Sequence, residues 1–140
     1  MSPFERYRIV RQVLSAELAK PYGFGWSAEH SDCFFTGCAV ADALDPSLRL
    51  VATYCGAYRT LAGAQRALRK RGFKSLSALF ESHLKPIPIA QGVLGDLAVL
   101  RFTDGDHVGV CLGDRVATKL PAGRSDHELS AAIAMFEVGR

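Results

Sequence analysis

Hydrophobic residues recur at helical spacing through the first half of the chain. Ser2 and Glu5 form a capping box with a proline between them, which predicts a helix that begins there. This helix should run to about Lys20, because Pro21 and two glycines follow. The residues that share its apolar face are Tyr7, Val10, Val13, Leu14 and Leu18.

The same spacing predicts three further helices. One covers residues 33–44, with Asp32 as its N-cap and an Asp-Pro pair as its stop. Two more cover residues 60–71 and 75–84. The first is followed by Gly72 as a stop, and the second can be capped by Ser75 and is broken by Pro86 and Pro88. The intervening stretch 48–58 shows no clear pattern.

The last third of the chain changes to the pattern of strands and tight turns. Strands are predicted at 96–102, 107–112 and 115–119, and they are followed by a polar loop at 121–126, a short helix at 127–132 and a strand at 133–138. Helices first and an antiparallel meander afterwards are typical of an α+β protein. Residues 1–140 are expected to form a single domain.

Composition excludes several classes of function. Hydrophobic residues make up 49% of the chain, but no apolar run approaches the ~18 to 20 residues that cross a bilayer, so no membrane span is expected. The N-terminus lacks the apolar segment of a signal peptide. The net charge is only +3, and the cations at 69–71 are interpreted as a solvated helix end, so no nucleic-acid partner is expected.

The four cysteines, at positions 33, 38, 55 and 111, form no Cys-x-x-Cys pair. No two histidines stand beside them at ligand spacing, so a zinc site is not predicted and no cofactor is expected. Without an export signal, these thiols are expected to be reduced.

Cys33 is the candidate nucleophile. A cysteine in the first turn of a helix lies among unpaired N–H groups at the positive end of the helix dipole, which favours the thiolate. We therefore expect a lowered pKa for this thiol. The alternative is that Cys33 is a small buried hydrophobic residue, as Cys38 is expected to be.

His107 is the candidate partner of Cys33. It begins a predicted strand immediately after an acidic turn, where its ring can project from the sheet. His83 and His127 are expected on exposed helix faces, and His30 lies in the loop before Cys33. A strand histidine can also be purely structural. If the two residues form a catalytic dyad, the sulfur and the ring should lie within about 3 to 5 Å.

Three segments in order resemble a known family, the NlpC-type papain-like cell-wall peptidases. They are Pro21-Tyr22-x-Phe24-Gly25 with Asp32-Cys33, then Gly95-Asp96-Leu97-Ala98-Val99, and finally His107-Val108-Gly109-Val110-x-Leu112-Gly113. The chain looks closest to the small, divergent branch of this family in phage and prophage tail modules. The resemblance spans residues 21–119 and implies a papain-like fold, with Cys33 as nucleophile and His107 as general base.

The chain departs from the family pattern at two places. The family carries a third polar residue on the strand after the histidine, where this chain offers Thr118 or Lys119. Thr118 could orient the ring through a hydrogen bond, whereas Lys119 would repel an imidazolium. The segment before the Asp-Cys pair, residues 24–31, is also longer than the short glycine-containing motif of the family.

The resemblance also assigns candidate substrate-binding residues around the nucleophile. These are Tyr22, a possible second donor to an oxyanion beside the Cys33 N–H, together with Trp26 and Asp32. The alternative for Tyr22 and Trp26 is that they line the core beneath the loop.

The implied function is hydrolysis of an amide bond, with peptidoglycan stem peptides as the substrate. The implied location is a phage tail, or the bacterial cytoplasm before assembly, and other tail-tip proteins are possible partners. The alternative function is a structural tail-tip component that keeps the fold and has lost the chemistry.

Overall fold

The computed structural model describes residues 1–140. Its five α-helices all precede its strands in the chain, and short 3-10 turns lie between some of the elements. The helices are α1 (Pro3–Ala19), α2 (Cys33–Leu44), α3 (Leu50–Tyr54), α4 (Leu61–Lys70) and α5 (Leu76–Glu81).

The predicted capping signals are confirmed at atomic level. The Ser2 side chain accepts from the Glu5 N–H at 3.1 Å, and the Glu5 carboxylate accepts from the Ser2 N–H at 3.2 Å. The two bonds satisfy N–H groups that the start of α1 leaves without helical partners. The helix buries Val10 and Leu14 and ends at Ala19, one residue before the predicted end. Tyr7, which was predicted to share the buried face, is 46% exposed.

Six strands form one antiparallel sheet in the order β1-β6-β2-β3-β4-β5. The strands are β1 (Lys85–Ile87), β2 (Leu97–Phe102), β3 (Gly105–Cys111), β4 (Arg115–Leu120), β5 (Gly123–Glu128) and β6 (Ala132–Glu137). The α+β class is therefore confirmed, with the helices before the sheet in the chain.

Two predictions for the last third were wrong. Residues 121–126 are not a loop and 127–132 are not a helix, because β5 occupies Gly123–Glu128 and a 3-10 turn covers Leu129–Ala131. The strand consists almost entirely of polar residues because it lies at the edge of the sheet, where one of its faces is exposed and the other only half-buried. Two short elements, α3 and β1, also lie in stretches for which no element was predicted.

The sheet separates two apolar clusters. The larger one lies between the sheet and the helices, and α2 packs there directly on β3. Gly37 allows this close approach, because a Cβ at that position would lie 2.7 Å from Val108. The smaller cluster covers the opposite face of the sheet; its buried members are Ala98, Leu100, Cys111, Val116, Ala132 and Met135.

A buried carboxylate ties the first helix to the last strand. Asp96 is fully buried and accepts from Arg6 at 3.1 Å, from Arg140 at 2.6 Å and from the Val138 N–H at 3.1 Å. Arg6 also donates to the carbonyl oxygens of Leu94 and Val138.

No helix is both long and apolar enough to cross a membrane.

Candidate active site

Cys33 is the first residue of α2, as its sequence context predicted. The preceding Asp32 is the N-cap, and its Oδ1 accepts from the Phe35 N–H at 2.9 Å. The Thr36 hydroxyl donates to the Asp32 carbonyl at 2.8 Å. These bonds fix the start of the helix and leave the Cys33 side chain partly buried rather than sealed in the core.

The role of Asp32 in binding substrate is not supported. Its second carboxylate oxygen accepts from the Gly25 N–H at 3.0 Å and from the Tyr58 hydroxyl at 2.6 Å, and the residue is 3% exposed. With its oxygens engaged and no open surface, Asp32 positions the loop and helix around Cys33. Its assignment as a substrate-binding residue was therefore wrong.

His107 lies beside the nucleophile. Its Nδ1 is 3.9 Å from the Cys33 sulfur, which confirms the predicted separation. The ladder between β3 and β4 stops at the pair Gly109–Thr118, so His107 has no ladder partner on β4. At this end of the ladder, α2 presents Cys33 to the histidine.

Asp104, in the turn before β3, holds the other side of the imidazole. Its Oδ1 is 2.9 Å from His107 Nε2, and this hydrogen bond is the main reason that the pKa of Asp104 is lowered. Because the carboxylate is ionised at neutral pH, it accepts a hydrogen bond from Nε2–H, and in the neutral imidazole Nδ1 is then the acceptor that faces Cys33. Sequence reasoning noted the acidic turn but missed Asp104 as the third member.

The prediction that Thr118 orients the histidine was wrong. Thr118 is buried, and its hydroxyl donates to the Val108 carbonyl at 2.6 Å. Lys119 does not repel the imidazole either, because its ammonium group is buried and donates to the Glu17 carbonyl at 2.7 Å and to Ser31 Oγ at 2.9 Å. Both side chains stabilise β4 against its neighbours.

The expected activation of the thiol is also absent in the resting state. Burial raises the pKa of the Cys33 thiol from 9.0 to about 12, and the negative charge of Asp32 acts in the same direction. The backbone N–H groups of Val108, Phe34 and Cys33 lower it, but not enough to offset desolvation. The resting cysteine is therefore a neutral thiol.

Tyr22 lies near the site with a free hydroxyl. Its pKa is raised, first by burial and then by Cys33, Asp32 and Asp104, which places all three groups within electrostatic range of the phenol. Its ring packs edge-on against Phe24 at 5.6 Å between centroids. The hydroxyl makes no hydrogen bond within the chain, so it stays available as a donor.

Trp26 holds the loop before Cys33 against the end of α1. Its indole N–H donates to Glu17 at 2.7 Å, and the Lys20 ammonium lies 4.5 Å from the ring centroid. These contacts fasten the loop before Cys33 to the end of α1. The structure therefore supports the alternative interpretation of Trp26 and not a role in binding substrate.

A row of three rings extends from the site along the sheet. Phe102 lies 4.9 Å from His107 and 4.8 Å from His127, measured between centroids. His127 is on β5, not on the helix predicted for it, and its Nε2 is 2.7 Å from Ser125 Oγ. Phe102 thus supports the face of the imidazole. The remaining histidines lie elsewhere, with His83 on the Tyr54 hydroxyl and His30 at the Gly23 carbonyl.

The fold and the site define an α+β protein with a cysteine at a helix start, a histidine on a strand and an aspartate in a turn. The cysteine is hydrogen-bonded to the histidine, and the histidine to the aspartate. No group of three His, Cys, Asp or Glu side chains is arranged to hold a metal ion. The chain belongs to the DUF6950 family, a domain of unknown function, which matches residues 5–138. No curated protein matches the chain significantly.

Proposed function

We propose that this protein is a thiol hydrolase that cleaves an amide bond through Cys33, His107 and Asp104. The observation that carries the proposal is the 3.9 Å separation of the Cys33 sulfur and His107 Nδ1, with Asp104 at the opposite nitrogen at 2.9 Å. A nucleophile, a base and a group that orients the base are the three parts that acyl transfer requires.

The raised pKa of Cys33 determines how the first step would proceed. Because the resting thiol is neutral, His107 Nδ1 accepts its proton as the sulfur bonds to the substrate carbonyl carbon. The carbonyl electron pair moves to oxygen, and the Asp104 carboxylate stabilises the imidazolium that forms. When the oxyanion collapses, the C–N bond breaks and His107 delivers the proton to the leaving amine.

The resulting thioester would be hydrolysed by water, with His107 again acting as the base. Water adds to the acyl carbon while His107 takes its proton, and the C–S bond then breaks to restore the thiol and release a carboxylic acid. The Cys33 N–H at the start of α2, and the free Tyr22 hydroxyl, are suited to donate to the oxyanion in both halves of the reaction.

The resemblance to NlpC-type papain-like peptidases suggests the substrate class. We propose peptidoglycan stem peptides as the substrate, and a phage or prophage tail as the setting in which other tail-tip proteins would be partners.

The test is digestion of purified peptidoglycan, with released stem-peptide fragments followed by mass spectrometry. The wild type should release fragments, and Cys33→Ala should abolish the release while the protein stays folded, because the substitution removes only one sulfur atom from a partly buried residue. Cys55→Ala is the matched control, since Cys55 is exposed and lies outside the site. Equal release by the wild type and Cys33→Ala would refute the hydrolase.

A second candidate function is a structural tail component with a weak or inactive site. The neutral thiol, with a pKa of about 12, favours it, because a fully active thiol enzyme usually has a more readily ionised cysteine. This function predicts no fragment release from any variant, together with a particle-assembly defect when the protein is deleted but not when Cys33→Ala replaces it.

A further inference from the structure

Positive charge is concentrated in one continuous part of the chain. Residues 46–80 contain seven basic residues and no acidic one, so their formal charge is +7. The other 105 residues hold the remaining 10 basic and all 14 acidic residues, which sum to −4, and the two parts together give the net +3. The seven cations are Arg49, Arg59, Arg66, Arg69, Lys70, Arg71 and Lys74.

All seven cations are exposed, and none forms an ion pair. Elsewhere in the chain, arginines such as Arg6, Arg101 and Arg124 are paired with carboxylates. Unneutralised cations on adjacent turns repel one another, and apart from the Arg71 guanidinium, which lies 5.2 Å from the Tyr54 ring centroid, these cations gain little from their own protein. A solvated helix end accounts for the cations at 69–71 but not for a 35-residue segment without a single carboxylate.

Helix α4 carries the densest part of this segment. It buries no side chain, and its inner face of small and apolar residues, at 63, 64, 67 and 68, is only partly covered. Arg66, Arg69 and Lys70 stand at i, i+3 and i+4, so they share the outward face about one turn apart. The basic segment, defined as residues 46–80, therefore presents a charged ridge to solvent.

We propose that the basic segment binds a linear polyanion of phosphate or phosphodiester groups, which it recognises by backbone charge. The outward face carries one large exposed apolar residue, Leu61 at 52%, and lacks the broad apolar face with which helices lie on lipid. The aromatic residues of the segment are buried or partly buried, so none is free to stack on bases or to anchor a protein interface.

The segment is also joined to the candidate active site. Tyr58 donates to Asp32, the N-cap of the catalytic helix, and Thr60 caps α4 two residues later. The start of α4 is thus connected to the start of the catalytic helix through Tyr58. The proposal does not depend on the hydrolase function, because binding can be measured with the Cys33→Ala protein.

The test measures binding of long-chain inorganic polyphosphate by fluorescence anisotropy at several salt concentrations. If all seven cations contact phosphates, the affinity should fall about a thousandfold between about 50 mM and about 200 mM NaCl. In a triple variant with Arg66→Gln, Arg69→Gln and Lys70→Gln, the fall over the same range should be only about fiftyfold. Glutamine preserves helix propensity, and circular dichroism checks that α4 remains folded.

The matched control is the triple variant Arg8→Gln, Arg11→Gln and Lys85→Gln, which removes three exposed, unpaired cations outside the segment. Both variants have a formal charge of 3 − 3 = 0. The control should bind nearly as the wild type does. Equal loss in both variants, a salt-independent affinity, or binding to phosphatidylglycerol vesicles but not to polyphosphate would overturn the proposal. A mixed-sequence oligonucleotide that bound far more tightly than polyphosphate of equal charge would overturn it as well.

Discussion

The alkylation rate of Cys33 tests the protonation state on which the proposed mechanism depends. Burial raises the pKa of this thiol from 9.0 to about 12, so at pH 7 its thiolate is about a thousandfold scarcer than that of an unperturbed thiol. A more basic thiolate is a better nucleophile. With a Brønsted coefficient of about 0.4–0.5, each Cys33 thiolate should react about 20 to 30 times faster than an unperturbed one, which partly offsets its scarcity. The net expectation is alkylation about 30- to 60-fold slower than that of an unperturbed, exposed thiol.

The measurement is iodoacetamide labelling followed by peptide mass spectrometry, with the exposed Cys55 as a reference in the same molecule. Labelling of Cys33 should accelerate about tenfold per pH unit and level off only near pH 12, because the proton is lost at the raised pKa. His107→Ala should change the rate at pH 7 little. If Cys33 instead reacts faster than Cys55 at pH 6, and His107→Ala slows it, the resting site is a thiolate–imidazolium pair and the neutral-thiol mechanism is wrong.

Two further substitutions test the supporting residues. Asp104→Ala should lower kcat for peptidoglycan hydrolysis by about tenfold with little change in KM, because a carboxylate that is 71% exposed orients the ring but is screened by solvent; an unchanged kcat would remove Asp104 from the mechanism. Asp96→Ala should lower the free energy of unfolding by about 3–5 kcal/mol, because it leaves Arg6 without its buried partner. With an unfolding entropy of about 2.1 cal/mol/K per residue, this loss lowers Tm by about 10–17 °C. In the same melts, Asp126→Ala, which breaks a partly exposed pair with Arg124, should shift Tm by no more than about 3 °C, and equal shifts would contradict the special role of Asp96.

Local sequence signals predicted the parts of the fold that local physics determines. The capping box at Ser2, the N-cap at Asp32 and the turn before His107 each act within a few residues, so a short stretch of sequence contains the information. Strand β5 gave no such signal, because its residues are polar and its stability comes from pairing with β4. Edge strands of this kind follow from tertiary context, not from hydrophobic periodicity.

The same distinction applies to the site. Cys33 and His107 could be found because a helix start and a strand start restrict where their side chains can lie. The pKa of Cys33 could not be predicted from the sequence, because the desolvation that raises it depends on how the loop and sheet close over the sulfur. Thr118 illustrates the converse error: its position on β4 was predicted, but its hydroxyl bonds to the backbone of the adjacent strand.

The position of β6 in the sheet has a consequence for how the protein is made. Because β6 lies between β1 and β2, a ribosome must release residues 132–137 before either neighbour gains its partner on that side. Until then the nascent chain displays two unpaired strand edges that can join other chains. Arg6 of α1 binds the carbonyl of Val138, which lies 132 residues further along the chain, so the first helix is tied to the end of the sheet only after Val138 has emerged.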